Sequence, residues 1–179
     1  MSLFLATLVF GLVLAALGAA LVANRPTVVA SLKSFPRSST AALFLFGGGT
    51  LWFLWLVWHL SAADFGDYHV LLTLGFAAVA GLAFKCVPDF LAVRGLCVLM
   101  LLSAAPLLGA AYMVYDRPQR LLMVTPVYLL IAAAIWLGVQ PYRLRDFFNW
   151  LFLRSSRSRG VGGALLAYGL LLAVVAFTY

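Results

Sequence analysis

Charged side chains are scarce in this sequence: Asp, Glu, Lys and Arg make up 9% of the residues, whereas 65% are apolar. A soluble chain of 179 residues cannot bury that much apolar surface, because small domains have a high ratio of surface to volume. Apolar runs of about 20 residues are the length that a hydrocarbon core of roughly 30 Å requires. The composition therefore predicts an all-α integral membrane protein.

Ionisable groups are also missing from the middle of every long apolar run. Lys85 and Arg94 lie near run ends, where their side chains can reach the headgroups. Ion-coupled transporters usually keep such groups inside the membrane, so a driven transporter is disfavoured, whereas passive conduction stays open. The hydroxyl groups within the runs are each expected to bond the backbone of their own helix. They belong to Thr50, Thr73, Ser103, Thr125, Tyr128 and Tyr168.

The sequence has two cysteines, Cys86 and Cys97. They lack CxxC spacing and have no cluster of His or acidic residues beside them, as a metal site would require. Both fall toward the side assigned below to the cytoplasm, where thiols remain reduced. We predict that they pack in the protein core.

Six apolar runs predict a bundle of six transmembrane helices. No Lys or Arg precedes the first run, and its apolar part is too long for a signal peptide, so we expect a retained crossing. We find no inverted repeat of the kind that many transporters show. The predicted crossings are residues 3–23, 41–61, 69–87, 91–115, 121–140 and 161–179.

Lys and Arg are distributed unevenly between the loops. Ten of the twelve fall in loops one, three and five, and only Arg117 and Arg120 fall in loops two and four. Because short loops rich in Lys and Arg stay in the cytoplasm, we predict that both termini lie outside. The expected location is a bacterial inner (plasma) membrane. The ten are Arg25, Lys33, Arg37, Lys85, Arg94, Arg143, Arg145, Arg154, Arg157 and Arg159.

The net charge of +7 does not indicate nucleic-acid binding. The basic residues are spread over several loops rather than grouped on one face with stacking aromatic side chains. We expect them to set the topology and to contact anionic lipid headgroups.

Residues 142–153 differ in kind from the crossings. Apolar side chains recur at i, i+3, i+4, i+7 and i+8, which places them on one stripe of an α-helix. We predict a cytoplasmic amphipathic helix in the membrane interface, followed by a flexible basic linker, RSSRSRG. The alternative is that the segment extends the fifth crossing beyond Pro141. The expected lipid or partner contacts are Leu144, Phe147, Phe148, Trp150, Leu151, Phe152, Arg154, Arg157 and Arg159.

Glycines and prolines indicate where helices meet. Glycines in a membrane helix let a neighbouring backbone approach closely. Pro106 and Pro126 each leave a helix carbonyl without its usual partner, so a neighbouring side chain or water must satisfy it. The predicted packing glycines are Gly47, Gly48, Gly49, Gly75, Gly81, Gly162, Gly163 and Gly169.

The outer loop between the second and third runs contains His59, Asp64, Asp67 and His69. Two imidazoles on adjacent helices suit the axial ligands of a haem iron, and with the aspartates they suit a divalent metal. One short turn joins the helices, which leaves little room for a macrocycle. We therefore interpret these side chains as solvated loop residues and predict neither a cofactor nor a metal, with haem as the open alternative.

Three functional hypotheses follow. We favour a non-catalytic membrane subunit that packs into or stabilises a larger complex, with other membrane subunits and lipids as partners. The first alternative is a small oligomeric channel or carrier for an uncharged or lipid-like substrate. The second is a redox membrane anchor that binds haem or a metal through His59 and His69. Because no constellation of nucleophile and base is present, we do not predict an enzyme.

Overall fold

The computed structural model describes residues 1–179, apart from the side chain of Ala62. In the described residues every regular element is a helix. The long helices α1, α3, α4, α5, α6 and α8 are long and apolar enough to cross a membrane, as expected of an integral membrane protein. The helices are α1 (Leu3–Ala23), α2 (Pro26–Ser34), α3 (Ser39–Trp58), α4 (His69–Cys86), α5 (Leu91–Ala111), α6 (Leu121–Val139), α7 (Tyr142–Leu151) and α8 (Ser155–Ala176).

Local chemistry explains several helix ends. The Ser2 hydroxyl accepts a hydrogen bond from the Leu5 N–H, and the Ser38 hydroxyl accepts one from the Ala41 N–H at 3.1 Å. Both serines therefore cap helix N-termini in the usual way. Asn24 ends α1 in the left-handed conformation, with φ of 44°, which Asn adopts more readily than most residues. Pro26 is the first residue of α2, where its missing N–H costs nothing.

Two segments outside the predicted crossings are helical. The connection 24–40 contains α2, on which Val28 and Leu32 are one helical turn apart. The expected flexible linker is a wrong prediction, because residues 155–160 form the first turns of α8. Ser158 is fully buried there, and its hydroxyl donates to the Ser155 carbonyl at 3.2 Å. The burial of Ser158 shows that the start of α8 packs within the protein and is not a free linker.

Neighbouring helices pair in a definite order. Helix α1 packs antiparallel along most of α8, and α5 lies between α3 and α6. Helix α4 packs chiefly on α3 through two edge-to-face ring pairs, Phe46 with Phe84 and Phe53 with Phe76. No described residue of α4 is buried, so α4 lies at the periphery.

The long helices alternate in direction along the chain. The connections α1–α3, α4–α5 and α6–α8 therefore share one end, which we call the basic end because ten of the twelve Lys and Arg residues belong to it. At the opposite end, α1, α5, α6 and α8 form the largest buried cluster, around Phe10, Met123 and Leu172. A smaller cluster around Val93 and Leu144 lies toward the basic end.

Candidate functional site

The two histidines predicted as weak ligand candidates lie at the facing ends of α3 and α4. Nδ1 of His59 is 2.8 Å from the Trp55 carbonyl oxygen, one turn back in α3. Nδ1 of His69 is hydrogen-bonded to the Gly66 carbonyl. The rings pack on different tryptophans: the His59 centroid is 4.6 Å from that of Trp55, and the His69 centroid is 5.0 Å from that of Trp58. Each histidine is therefore held by its own local contacts.

The acidic residues of this loop do not form a metal-binding group with the histidines. Asp64 accepts a hydrogen bond of 2.9 Å from the Ser61 hydroxyl, and Asp67 is exposed on the next 3-10 turn. In the described part of the chain, no three His, Cys, Asp or Glu side chains come together as a metal ion would need. Cys86 is exposed at the end of α4, while Cys97 is buried within α5.

The predicted packing glycines fall into two groups. Gly162 and Gly169 lie against α1, and Gly49 lies against Val98 of α5. The other five face open space within this chain. They are Gly47, Gly48, Gly75, Gly81 and Gly163.

Three of the open glycines share one feature, a groove between α3 and α4. Its volume is about 500 Å³, and its walls are almost entirely apolar. Gly47 and Gly48 line it from α3, and Ala77, Ala80 and Gly81 line it from α4. With no side chains larger than methyl at these positions, the helix backbones are accessible from the outside of the molecule.

The closest helix contacts involve glycines that the sequence interpretation missed. A Cβ on Gly11 would lie 2.8 Å from the Gly169 carbonyl oxygen, and one on Gly18 would lie 2.7 Å from the Gly162 carbonyl oxygen. A Cβ on Gly95 would meet the α3 backbone at Phe46. The signal for the first pair was present, since Gly11 and Gly18 have the same spacing as Gly162 and Gly169.

Helix α7 is separate from α6, and its stripe is divided between two environments. Leu144 and Leu151 are buried, and Phe148 packs with Leu144 on the cluster around Val93 of α5. Phe147 and Trp150 are exposed, with ring centroids 6.0 Å apart. Part of the apolar stripe thus packs against other helices of the same chain, while Phe147 and Trp150 remain exposed at the surface.

The basic residues after α7 also differ from one another. The Arg157 guanidinium lies 4.8 Å from the Trp150 ring centroid, and its Nη1 donates to the Trp150 carbonyl at 3.2 Å. Arg154 and Arg159 are exposed, and Phe152 is half-buried with its ring 6.4 Å from that of Phe148. Arg157 therefore joins α7 to the start of α8.

An apolar cleft separates the α1–α8 pair from α3 and α5. Toward the basic end it holds about 440 Å³ and is lined by side chains of α2 and α7 among others. Toward the opposite end a second cavity of about 560 Å³ extends past Trp52 to Pro106. Leu17 of α1 and Leu96 of α5 line both cavities.

The opposite end is held by polar contacts to backbone carbonyls. The Tyr168 hydroxyl of α8 donates to the Leu122 carbonyl of α6 at 2.7 Å. Tyr168 thus bonds a neighbouring helix rather than its own, unlike Ser103, whose hydroxyl donates to the Met100 carbonyl of α5. Arg120 donates to the Ala111 carbonyl at 2.6 Å and lies over the Tyr115 ring. These contacts fix the α5–α6 turn and the α6–α8 contact.

Comparison of the chain with protein-family models, with curated proteins and with solved structures gave no match.

Proposed function

We propose that the protein is a non-catalytic membrane subunit, and that a transmembrane helix of another membrane protein packs in the α3–α4 groove. The observation that carries the proposal is the position of α4. It has no buried described residue and packs chiefly on α3, yet it presents Ala77, Ala80 and Gly81 beside Gly47 and Gly48.

Membrane physics gives those small residues their significance. Apolar side chains gain nothing by leaving lipid for another helix, so association depends on close packing and hydrogen bonding between helices. Small residues permit that close approach, and here they come from both walls of one groove. Large exposed side chains flank them on α4, among them Leu74 and Val79. A partner helix would cover the small residues and contact these larger ones at its edges.

The proposal includes a placement in the membrane. Six crossings form a bundle in a bacterial inner membrane, the basic end faces the cytoplasm, and both termini lie outside. Helix α7 lies in the cytoplasmic interface, where Trp150 suits the headgroup region and the neighbouring arginines attract anionic lipids. The unequal distribution of Lys and Arg between the two ends supports this placement.

A photo-crosslinking amino acid at Ala80 tests the subunit hypothesis in living cells. We expect a discrete protein adduct from Ala80 and none from Leu129, a lipid-exposed position on α6. Lipid adducts alone at both positions would contradict the proposal.

A matched pair of variants tests the groove itself. Gly75 and Gly81 both face open space on α4, but only Gly81 lines the groove. Gly81→Phe should abolish co-purification of the partner in mild detergent, whereas Gly75→Phe should preserve it. If the wild-type protein purifies only as a homo-oligomer that makes liposomes permeable, the channel or carrier hypothesis replaces the subunit hypothesis.

A further inference from the structure

We infer that a groove at the α5–α6 turn binds an anionic phospholipid, with the lipid phosphate at Arg120. The groove lies at the end opposite the basic end and holds about 250 Å³. Arg120 lines it together with three tyrosines, Tyr112, Tyr115 and Tyr128. The inference does not depend on the proposed partner helix, because this groove shares no lining residue with the α3–α4 groove.

Arg120 is held in place by its neighbours before any ligand arrives. Its Nη1 donates to the Ala111 carbonyl at 2.6 Å, and its guanidinium lies 4.6 Å from the centroid of the Tyr115 ring. A guanidinium carries five N–H donors in a planar fork that matches the oxygens of a phosphate group. The bond to Ala111 uses one of these donors, so the others remain for a ligand.

The charge of Arg120 is not neutralised within the chain. Among the described residues, ion pairs join Arg117 with Asp116 and Arg145 with Asp146, and Arg120 belongs to neither pair. Arg120 is nevertheless partly buried, and removing a charge from water is costly unless a partner of opposite charge is present. An anion in the groove supplies that partner. The charge therefore favours an anionic ligand at Arg120 and not at Arg117.

The position of the groove along the helices favours a lipid over a soluble anion. Helices α5 and α6 are long enough to cross a membrane, so the turn between them lies at the membrane surface. Arg120 immediately precedes α6, whereas Leu108 and Val124 line the groove about one turn into α5 and α6. A cation at the surface and apolar walls below it match the phosphate and acyl chains of a phospholipid. Inorganic phosphate would leave the apolar walls uncovered.

The size of the groove favours a headgroup over a protein helix. One turn of a helix, about 10 Å across and about 5.4 Å long, occupies about 420 Å³, which exceeds the groove volume of about 250 Å³. The phosphate and the atoms attached to it need less space. Tyr128 is exposed about 10 Å into α6, where a tyrosine hydroxyl seeks a hydrogen-bond partner. An ester carbonyl of the bound lipid can accept that bond.

Native mass spectrometry of the detergent-purified protein, titrated with lipid, tests the inference. Phosphatidylglycerol should bind the wild type about fivefold more tightly than phosphatidylcholine, whose choline offsets the phosphate charge. Arg120→Gln should weaken phosphatidylglycerol binding about fivefold. Arg117→Gln removes the same charge from the same turn, but from an ion pair outside the groove, and should leave binding unchanged. Equal effects of the two substitutions, or equal binding of the two lipids, would overturn the inference.

A second pair of variants covers the case in which Arg120→Gln fails to fold, since Arg120 also holds the α5–α6 turn. Leu121 and Leu129 are both exposed on α6, but only Leu121 lines the groove. Leu121→Trp fills the groove and should lose phosphatidylglycerol binding, whereas Leu129→Trp should keep it. Equal binding by these two variants would refute the site. Excess inorganic phosphate should not displace the lipid from the wild type, and displacement would identify a site for a soluble anion instead.

Discussion

The Tyr168 hydroxyl donates a hydrogen bond of 2.7 Å to the carbonyl of Leu122, to which Pro126 cannot donate one. In a regular helix the N–H of residue 126 would bond the carbonyl of residue 122, but proline has no N–H. Tyr168 comes from α8, so the bond replaces a contact within α6 by a contact between two helices. A proline that would otherwise leave an unpaired acceptor in the membrane thereby fixes the position of α8 against α6.

This arrangement predicts strong coupling between Tyr168 and Pro126. Tyr168→Phe should destabilise the protein by about 0.6–1.5 kcal/mol, because it leaves the Leu122 carbonyl unpaired. Pro126→Ala restores the N–H, so in that background Tyr168→Phe should cost much less. Reversible unfolding in mixed micelles measures the four free energies. Additive effects of the two substitutions would show that the Tyr168 hydroxyl does not compensate for the N–H that Pro126 lacks.

The α1–α8 contact gives a prediction with an internal control. A Cβ on Gly162 would lie 2.8 Å from Leu21 Cβ, whereas one on the adjacent Gly163 would meet nothing within 4 Å. Gly162→Ala should therefore destabilise the protein by about 1–3 kcal/mol relative to Gly163→Ala, since both gain the same helix propensity. Thermal unfolding of the purified variants makes the comparison. Equal melting temperatures would mean that α1 and α8 pack less closely than the structure indicates.

Arg157 provides a test of the α7–α8 connection. Arg157→Lys removes the planar guanidinium that stacks on Trp150 and donates to its carbonyl, and Lys cannot reproduce both contacts. We expect a loss of about 0.5–1 kcal/mol and faster proteolysis at residues 152–155. Arg159→Lys changes an exposed arginine of the same segment and should behave like the wild type. Increased proteolysis in both variants would point to charge or packing effects unrelated to Trp150.

Hydropathy predicted the number and approximate position of the long helices, because the length of a membrane crossing is imposed by the bilayer and is readable from composition alone. It did not reveal helix partners. Gly47 and Gly48 were predicted to pack against a neighbouring helix, yet they face open space within this chain. Gly11 and Gly95, which were not predicted, make close backbone contacts. Which glycine faces a neighbour depends on how the helix is rotated about its own axis. An almost uniformly apolar helix has no polar side from which that rotation could be predicted.

Polar contacts show the same division between what was predictable and what was not. The sequence predicted that the carbonyl freed by Pro126 needs a partner, because that follows from the chemistry of proline. It did not identify the partner as Tyr168, which is 46 residues from Leu122 and was expected to bond its own helix. Helix α2 was missed for another reason. Its apolar stripe spans only Val28 and Leu32, and Ser31, Lys33 and Ser34 make the segment resemble a loop.

The proposed orientation makes a prediction about reagent accessibility. Single cysteines at Ser38, at the basic end, and at Ser61, at the opposite end, can be introduced after Cys86 and Cys97 are replaced by Ser. In intact cells a membrane-impermeant maleimide should label Ser61→Cys, whereas Ser38→Cys should react only after the cells are broken. The reverse pattern would place the basic end outside and would contradict the rule that basic loops stay in the cytoplasm.

The outer loop allows a decisive spectroscopic test of the redox-anchor hypothesis. Nδ1 of each histidine is close to a backbone carbonyl of its own segment, which leaves Nε2 as the nitrogen that could bind iron, but the two rings pack on different tryptophans and one short turn joins their helices. We therefore expect no Soret absorbance in the purified protein, and no rise in melting temperature when haem is added. His59→Ala and His69→Ala serve as controls for any absorbance that does appear. A Soret band in the wild type that either substitution abolishes would establish axial ligation, and would require the ends of α3 and α4 to separate enough to admit the macrocycle.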